Sequence, residues 1–225
     1  MTAKQAAGEK AAEWVKDGMI VGLGTGSTAR WAIAKIGELV ADGIKIQAVP
    51  TSVQSATQAK DLGIPLVELN AVDRIDVTID GADEIDPQFD MIKGGGGALL
   101  REKLVAAASD VEVIVADPSK TVEVLGRKFL LPVEVVPFGW RRVERRLREL
   151  GGVPALRQTD GKPYETDNGN VILDAKFEEI ADPASLEQAL NMIPGVVENG
   201  LFVELAHVLI VGHDDGTTEV QRKRM

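Results

Sequence analysis

The sequence predicts an α/β fold in which a parallel β-sheet is flanked by helices and a smaller α+β domain is inserted into the chain. Up to about residue 127, short apolar runs alternate with segments of helical periodicity, an order typical of parallel sheets. Beyond that point the predicted order is β-α-β-α-β, which fits a small α+β domain better than more of the first sheet. A length of 225 residues allows one or two domains.

Glycines and helical periodicity delimit the elements of the first part. The Ala-rich segment that ends before Gly18 predicts a helix, and Gly43 and Gly63 end two more. The predicted helices span residues 4–17, 27–42, 51–62 and 98–108. The predicted strands are short apolar or β-rich runs at residues 19–22, 44–49, 64–69, 74–79 and 111–116.

The second part is shorter and its last strand is predicted to return to the first sheet. Strands are predicted at residues 131–136, 170–175, near Leu201 and at 208–211, and helices at 140–150 and 183–192. These elements divide the chain into a catalytic domain of residues 1–127 plus 203–225 and a small domain of residues 128–202. We expect the small domain to serve oligomerisation.

Charge and composition exclude several classes of function. Asp and Glu number 35 against 25 Lys and Arg, and the net charge of −10 has the wrong sign for binding nucleic-acid phosphates. Arginines of helix 140–150 and the basic tail 222–224 are interpreted as solvated surface, because that helix also has an apolar face. With no Cys and 2 His, thiolate and Cys-based metal sites are excluded.

The chain lacks membrane-length apolar runs and a signal peptide, so we expect a cytoplasmic protein.

The first motif that carries chemistry is GLGTGST, residues 22–28, between a predicted strand and helix. Its glycines allow the backbone to approach a ligand closely, and Ser27 and Thr28 offer hydroxyls where free N–H groups attract an anion. The alternative is an ordinary turn in which Ser27 caps the helix. A dinucleotide site is disfavoured, since Ser27 replaces the third fingerprint glycine and no acid follows the next strand.

The second motif is DGADEID, residues 80–86, at the carboxyl end of a predicted strand, where open parallel sheets bind ligands. Its carboxylates are suited to proton transfer or to cation binding. A solvated acidic turn is the alternative, and the spacing does not fit an EF-hand loop.

The third motif is KGGGGALLREK, residues 93–103, with four consecutive glycines. Ordering so many glycines on folding costs backbone entropy. A glycine run is useful where the backbone amides must approach an anionic ligand closely. Lys93 can stabilise an oxyanion, and Glu102, on the following helix, is a candidate base. The alternative is an exposed Glu102 between Arg101 and Lys103. Together, the three motifs suit proton abstraction next to a carbonyl on a small phosphorylated substrate.

These motifs, in this order, resemble the A-type ribose-5-phosphate isomerases. The resemblance continues through DPSK at 117–120, LPVEVVPF at 131–138, TDNGNVILD at 166–174 and IPGVVENGLF at 193–202, and so covers nearly the whole chain. It implies a Rossmann-like catalytic domain with an inserted ferredoxin-like domain, and a homodimer or possibly a homotetramer. It also implies interconversion of D-ribose 5-phosphate and D-ribulose 5-phosphate in the non-oxidative pentose phosphate pathway, without a metal or organic cofactor.

The resemblance also implies a role for each site residue. Glu102 resembles the general base that moves a proton between C2 and C1 through a cis-enediolate, and Lys93 resembles the group that stabilises it. Asp80 and Asp83 resemble the residues that hold the sugar hydroxyls and assist ring opening, with Asp80 favoured for proton transfer. The remaining substrate-binding residues implied are Thr25, Gly26, Ser27, Thr28, Gly81, Ala82, Gly94, Gly95, Gly96, Lys120 and Lys4.

Two departures and two rival functions accompany the resemblance. Leu100 stands where the family often has Thr, and residues 204–207 differ from the expected Arg-Ala-Asp pattern. A phosphosugar-sensing domain of a transcription regulator would use the same fold, but we expect it to carry a helix-turn-helix segment. An acyl-CoA transferase would need room for a nucleotide-sized donor.

Overall fold

The computed structural model describes residues 1–223, so Arg224 of the basic tail lies outside the described residues. The helices are α1 (Ala3–Ala11), α2 (Ala29–Ala41), α3 (Val53–Asp61), α4 (Leu99–Ala107), α5 (Trp140–Glu149) and α6 (Pro183–Asn191). The strands are β1 (Ile20–Leu23), β2 (Gln47–Pro50), β3 (Val77–Gly81), β4 (Glu84–Ile85), β5 (Met91–Ile92), β6 (Glu112–Ala116), β7 (Leu131–Val135), β8 (Val153–Leu156), β9 (Gln158–Thr159), β10 (Lys162–Pro163), β11 (Val171–Lys176), β12 (Val196–Asn199), β13 (Leu201–Phe202), β14 (Val208–Gly212) and β15 (Thr218–Arg222). Within residues 1–223, no helix has the length and apolar character needed to cross a membrane.

The first of two compact units, Met1–Ala82, Arg101–Thr121 and Leu205–Met225, is built on a six-stranded sheet. Its strand order is β15-β14-β6-β3-β1-β2, with β15 antiparallel and the other strands parallel. The strand order reverses at β1, since β2 lies on one side of it and β3 on the other. Ligands of open α/β sheets bind at the carboxyl ends of strands beside such a reversal. The loops after β1 and β3 are therefore where a site is expected.

Local sequence explains how helices α2 and α3 end beside this sheet. Gly43 has φ 107°, and the N–H of Ile44 donates to the carbonyl of Leu39, as in a glycine-terminated helix. Gly63, with φ 71°, ends α3 in the same way. Ser52 and Ser55 form a reciprocal cap at the start of α3. The apolar side of α2, with Ile33 and Ile36, packs into the core of the sheet.

The second unit, Asp83–Leu100 and Val122–Glu204, contains a four-stranded antiparallel sheet of order β12-β7-β11-β8. With α5 after β7 and α6 after β11, this is the ferredoxin-like arrangement that the sequence analysis predicts. Val143 and Leu147 of α5 are buried in its core, whereas the arginines of α5 are exposed. A separate three-stranded sheet has the order β13-β5-β4.

Several expected elements are wrong in extent or type. Helix 4–17 ends at Ala11 and continues as one 3₁₀ turn, because Val15 is extended and buries its side chain in the core. Gly18 does not cap this helix; its N–H donates to the carbonyl of Lys45. The predicted strand 64–69 is a single bridge, between Leu66 and Ala48. The strands β8, β12 and β15 are absent from the sequence prediction.

Candidate active site

The turn after β1 is held in place by the buried carboxylate of Asp80, at the end of β3. Oδ1 of Asp80 accepts hydrogen bonds from the N–H groups of Thr25 (2.9 Å) and Gly81 (2.7 Å). A Cβ at Gly24 would lie 2.2 Å from the same oxygen, so the close approach of these two strands requires glycine there. Asp80 is fully buried, and the solvated-turn alternative is therefore wrong for this residue.

Ser27 binds a lysine from the first helix instead of capping α2. Its Oγ accepts a hydrogen bond of 2.9 Å from Nζ of Lys4. The N-terminal cap of α2 is Thr28, and no side chain makes a capping hydrogen bond there. The interpretation of Ser27 as a helix cap is therefore wrong. Because Gly26 and Ser27 are exposed, this helix terminus is open to an anion.

The charges of Lys120 and Lys4 both act on the carboxylate of Asp117 in the first unit. Asp117 begins the 3₁₀ turn Pro118–Lys120. Partial burial of Asp117 favours its protonated form, but hydrogen bonds from Ser119 and the charges of Lys120 and Lys4 outweigh it and lower the pKa of its carboxyl. The structure thus brings Lys4 and Lys120 to one acidic side chain, and Lys4 to the Gly26–Ser27 turn. Such a group of donors and cations is suited to binding a phosphate.

The second unit contains Asp83 and the glycine run. Oδ2 of Asp83 accepts a 2.7 Å hydrogen bond from the N–H of Gly95. A Cβ at Gly95 would lie 2.7 Å from Asp83 and 2.8 Å from the ring of Phe129, so a side chain has no room there. Gly95 and Gly96 are nevertheless exposed on their other side. The run therefore presents backbone to solvent at Gly95, where only glycine fits, and at Gly96.

Lys93 is one of the most buried side chains of the protein, with an exposure of 2 %. Its N–H donates to the carbonyl of Gly200 over 2.9 Å, and Nζ lies 5.3 Å from the centroid of the Phe202 ring. Lysine is almost never buried to this extent unless its charge is compensated. Lys93 follows directly after β5, which pairs with β13 in the three-stranded sheet of the second unit.

Glu102 is buried to 95 % in the first turn of α4, with an exposure of 5 %. The alternative of an exposed glutamate between Arg101 and Lys103 is therefore wrong. Of the leucines that flank it, Leu99 is fully buried but Leu104 is half exposed. A carboxylate shielded from bulk water in this way has the environment that a general base needs.

Comparison with known proteins agrees with these features. Residues 47–216 match the family model "Ribose 5-phosphate isomerase A (phosphoriboisomerase A)", which is more than half of the chain. The chain belongs to this family. The ribose-5-phosphate isomerase A of Jannaschia sp. (strain CCS1) is 51% identical over 227 residues, covering 97% of this chain and 86% of the relative. That of Bacillus mycoides (strain KBAB4) is 50% identical over 220 residues, covering 97% and 99%.

Solved structures of this isomerase family share the whole fold. The ribose 5-phosphate isomerase A of Methanocaldococcus jannaschii has a TM-score of 0.93 and 40% identity, covering 98% of each chain. The Plasmodium falciparum enzyme has a TM-score of 0.95 and 37% identity, covering 99% of each chain. The Rossmann-like sheet flanked by helices, with its ferredoxin-like insertion, is thereby confirmed.

Thr51 and Ser52 help to build the site of this isomerase, although no motif of the sequence selects them. Oγ1 of Thr25 lies 2.7 Å from both Oγ1 of Thr51 and Oγ of Ser52, so its hydroxyl is engaged within the protein. The carboxylate of Glu84, also buried, accepts three backbone N–H bonds, from Gly126, Lys128 and Phe129. Glu84 thus belongs to the scaffold, although it stands in the acidic motif. Within residues 1–223, no group of three or more acidic or His side chains is placed to hold a metal ion.

Proposed function

We propose that this protein interconverts D-ribose 5-phosphate and D-ribulose 5-phosphate through a cis-enediolate, with no metal or organic cofactor. The observation that carries the proposal is the burial of three ionisable side chains, Asp80 in the second motif and both Lys93 and Glu102 in the third. Asp80, Lys93 and Glu102 have exposures of 0%, 2% and 5%. Burying a charged group is costly, and active sites are one place where proteins commonly retain buried charged groups. Membership of the isomerase family supports the same conclusion.

In the proposed reaction Glu102 is the general base. It removes the proton from C2 of the open aldose, and the C–H electrons form the C1–C2 double bond while O1 of the aldehyde becomes an oxyanion. Lys93 and the N–H groups of Gly94 and Gly96 stabilise this charge, whereas the N–H of Gly95 is bound by Asp83. Glu102 then returns the proton to C1, and the proton of O2 passes to O1, so that the ketone forms at C2 and C1 carries a hydroxyl.

The remaining residues hold the sugar and its phosphate. Asp80 transfers a proton during ring opening, and Asp83, with Gly81 and Ala82, binds the hydroxyls. The hydrogen bond between Lys4 and Ser27 supports a phosphate site formed by residues 25–28, Lys4 and Lys120. Binding energy from the phosphate, far from the reacting carbons, positions C1 and C2 against the base. A structurally similar D-ribose-5-phosphate isomerase has been solved in complex with phospho-erythronic acid; its TM-score is 0.94 at 40% identity, covering 98% of this chain and 97% of that chain.

We place this activity in the non-oxidative pentose phosphate pathway and in the cytoplasm, and we propose a homodimer, with a homotetramer as the alternative. The proposed domains are a catalytic domain of residues 1–127 plus 203–225 and a small domain of residues 128–202 that serves oligomerisation. The compact units of the fold have other bounds, since Asp83–Leu100 lies in the second unit. A nucleic-acid or membrane partner is not part of the proposal, in keeping with the net charge of −10.

The deciding experiment is an assay of EDTA-treated protein with ribose 5-phosphate in which the formation of ribulose 5-phosphate is followed directly. We expect turnover that the chelator does not reduce. Saturable binding without turnover would instead favour a phosphosugar sensor. Activity that returns only with a divalent ion would contradict the metal-free mechanism and the roles given to Asp80 and Asp83.

Replacing Ser27 by Ala is expected to raise KM for ribose 5-phosphate by about tenfold, because a hydrogen bond to a charged group is lost. Its kcat is expected to change less, since the phosphate does not react. Initial rates over a range of substrate concentrations measure both constants. Ser185→Ala, on an exposed helix cap of the second unit, is the matched control. An unchanged KM for the Ser27 variant would mean that the phosphate binds elsewhere.

A further inference from the structure

Arg157 follows β8 and is held by Asp174 of β11 through both oxygens of the carboxylate. Its Nε donates to Oδ2 over 2.8 Å and its Nη2 to Oδ1 over 2.5 Å. The side chains are only 14% and 17% exposed, so this two-bond pair is largely shielded from water. The pair fixes the plane of the guanidinium within the second unit.

The third guanidinium nitrogen of Arg157, which does not bind Asp174, binds the glycine run. Nη1 of Arg157 donates to the carbonyl of Gly94 over 3.0 Å and to that of Gly95 over 3.1 Å. The hydroxyl of Tyr164 donates to the next carbonyl, of Gly96, over 3.3 Å, and its ring lies 5.7 Å from the guanidinium carbon. Three successive carbonyls of the run are thus bound by two side chains.

Binding a carbonyl also orients the N–H of the following residue. The peptide bond is planar and trans, so C=O and N–H of one peptide point in opposite directions. The peptide that joins Gly94 to Gly95 demonstrates this: Arg157 binds its carbonyl and Asp83 its N–H, over 2.7 Å. In the next peptide Arg157 binds the carbonyl of Gly95, which directs the N–H of Gly96 away from the guanidinium. Within residues 1–223 that N–H makes no hydrogen bond to the backbone.

We propose that Arg157, held by Asp174, is a positioning residue that fixes the peptide between Gly95 and Gly96 and so orients the N–H of Gly96 toward the oxyanion of the enediolate. This inference rests on the proposed isomerisation. Glycines have no side chain to restrict their backbone, so a run of four needs external contacts to keep one orientation. A cation on the carbonyl side also polarises each peptide, which makes its N–H a stronger donor.

The test compares the double variant Arg157→Met/Asp174→Asn, which leaves neither partner charged, with Arg157→Lys and the control Arg127→Met. Arg127 pairs with Glu179 in the same unit but at an exposed position. For the double variant we expect kcat for ribose 5-phosphate to fall about 10–100-fold, as misplaced catalytic groups do, with KM within about threefold. Arg157→Lys is expected to recover part of kcat, and Arg127→Met to leave both constants unchanged.

The second readout does not depend on catalysis. With ¹⁵N-labelled glycine, relaxation of the amide signals of Gly95 and Gly96 reports their order in the substrate-free protein. We expect order to be lost there in the double variant and retained in the control. Retained order, or a kcat equal to that of the unaltered protein, would overturn the inference. If the unaltered protein has no turnover, the proposed function fails, and the glycine signals alone decide whether Arg157 orders the run.

Discussion

Replacing Glu102 by Gln is expected to lower kcat for ribose 5-phosphate by about 10²–10⁴-fold, with a smaller change in KM. Glutamine keeps the size of the side chain and two of its polar atoms but cannot take up the C2 proton. The reaction has no route that bypasses this transfer, because a base must take the proton from C2 and then deliver a proton to C1. The effect is therefore predicted on kcat and not on substrate binding.

Deuterium incorporation provides a measurement specific to this role. In D₂O, a base that exchanges its proton with solvent places deuterium on C1 of ribulose 5-phosphate, which NMR detects. The Gln variant should lose this incorporation along with turnover. Glu38→Gln is the matched control, because Glu38 forms an exposed ion pair with Lys35 on α2. A Glu102 variant that retains nearly full kcat and incorporation would remove Glu102 from the role of base.

The sequence predicted the central part of the fold because its signals are local. Gly43 and Gly63 end their helices as their position after an apolar periodic segment predicts. The segment around Val15 shows the limit of such reasoning, since the burial of one side chain in the core converts the end of a predicted helix into extended chain. The strands β8, β12 and β15 form by pairing with distant residues, and their own sequences carry little of that information.

The candidate site likewise has residues that local motifs identify and contacts that depend on residues far apart in the sequence. The motifs made Asp80, Lys93 and Glu102 candidates and the family resemblance implied their roles, and their burial distinguishes them from exposed residues of the same type. The pairing of Lys4 with Ser27 joins residues 23 positions apart. Arg157 reaches the carbonyl of Gly94 across 63 positions, and the motif that carries Asp174 gives no hint of this contact. Such contacts depend on strand pairing, which no local pattern in one sequence specifies.

Replacing Lys93 by Met is expected to lower kcat by about 10²–10³-fold, the usual loss when one group that stabilises an oxyanion is removed. Methionine has nearly the same length and is apolar, so it can occupy the buried position that Lys93 has beside Phe202. Because the negative charge on O1 develops only as the enediolate forms, KM for ribose 5-phosphate is expected to change much less than kcat. Initial-rate kinetics give both constants, and thermal unfolding reports whether the fold is kept.

Phospho-erythronic acid distinguishes charge stabilisation from a packing role of Lys93. Its carboxylate already carries the negative charge that the substrate acquires only during the reaction. Loss of Lys93 should therefore weaken binding of the acid by nearly as much as it lowers kcat/KM, whereas KM for ribose 5-phosphate should stay nearly constant. Phe202→Leu is the matched variant, since it removes the ring beside the ammonium group but leaves the charge. If Phe202→Leu lowers kcat as much as Lys93→Met does, or if the acid binds the Met variant undiminished, then Lys93 acts through packing and the oxyanion is stabilised by other groups.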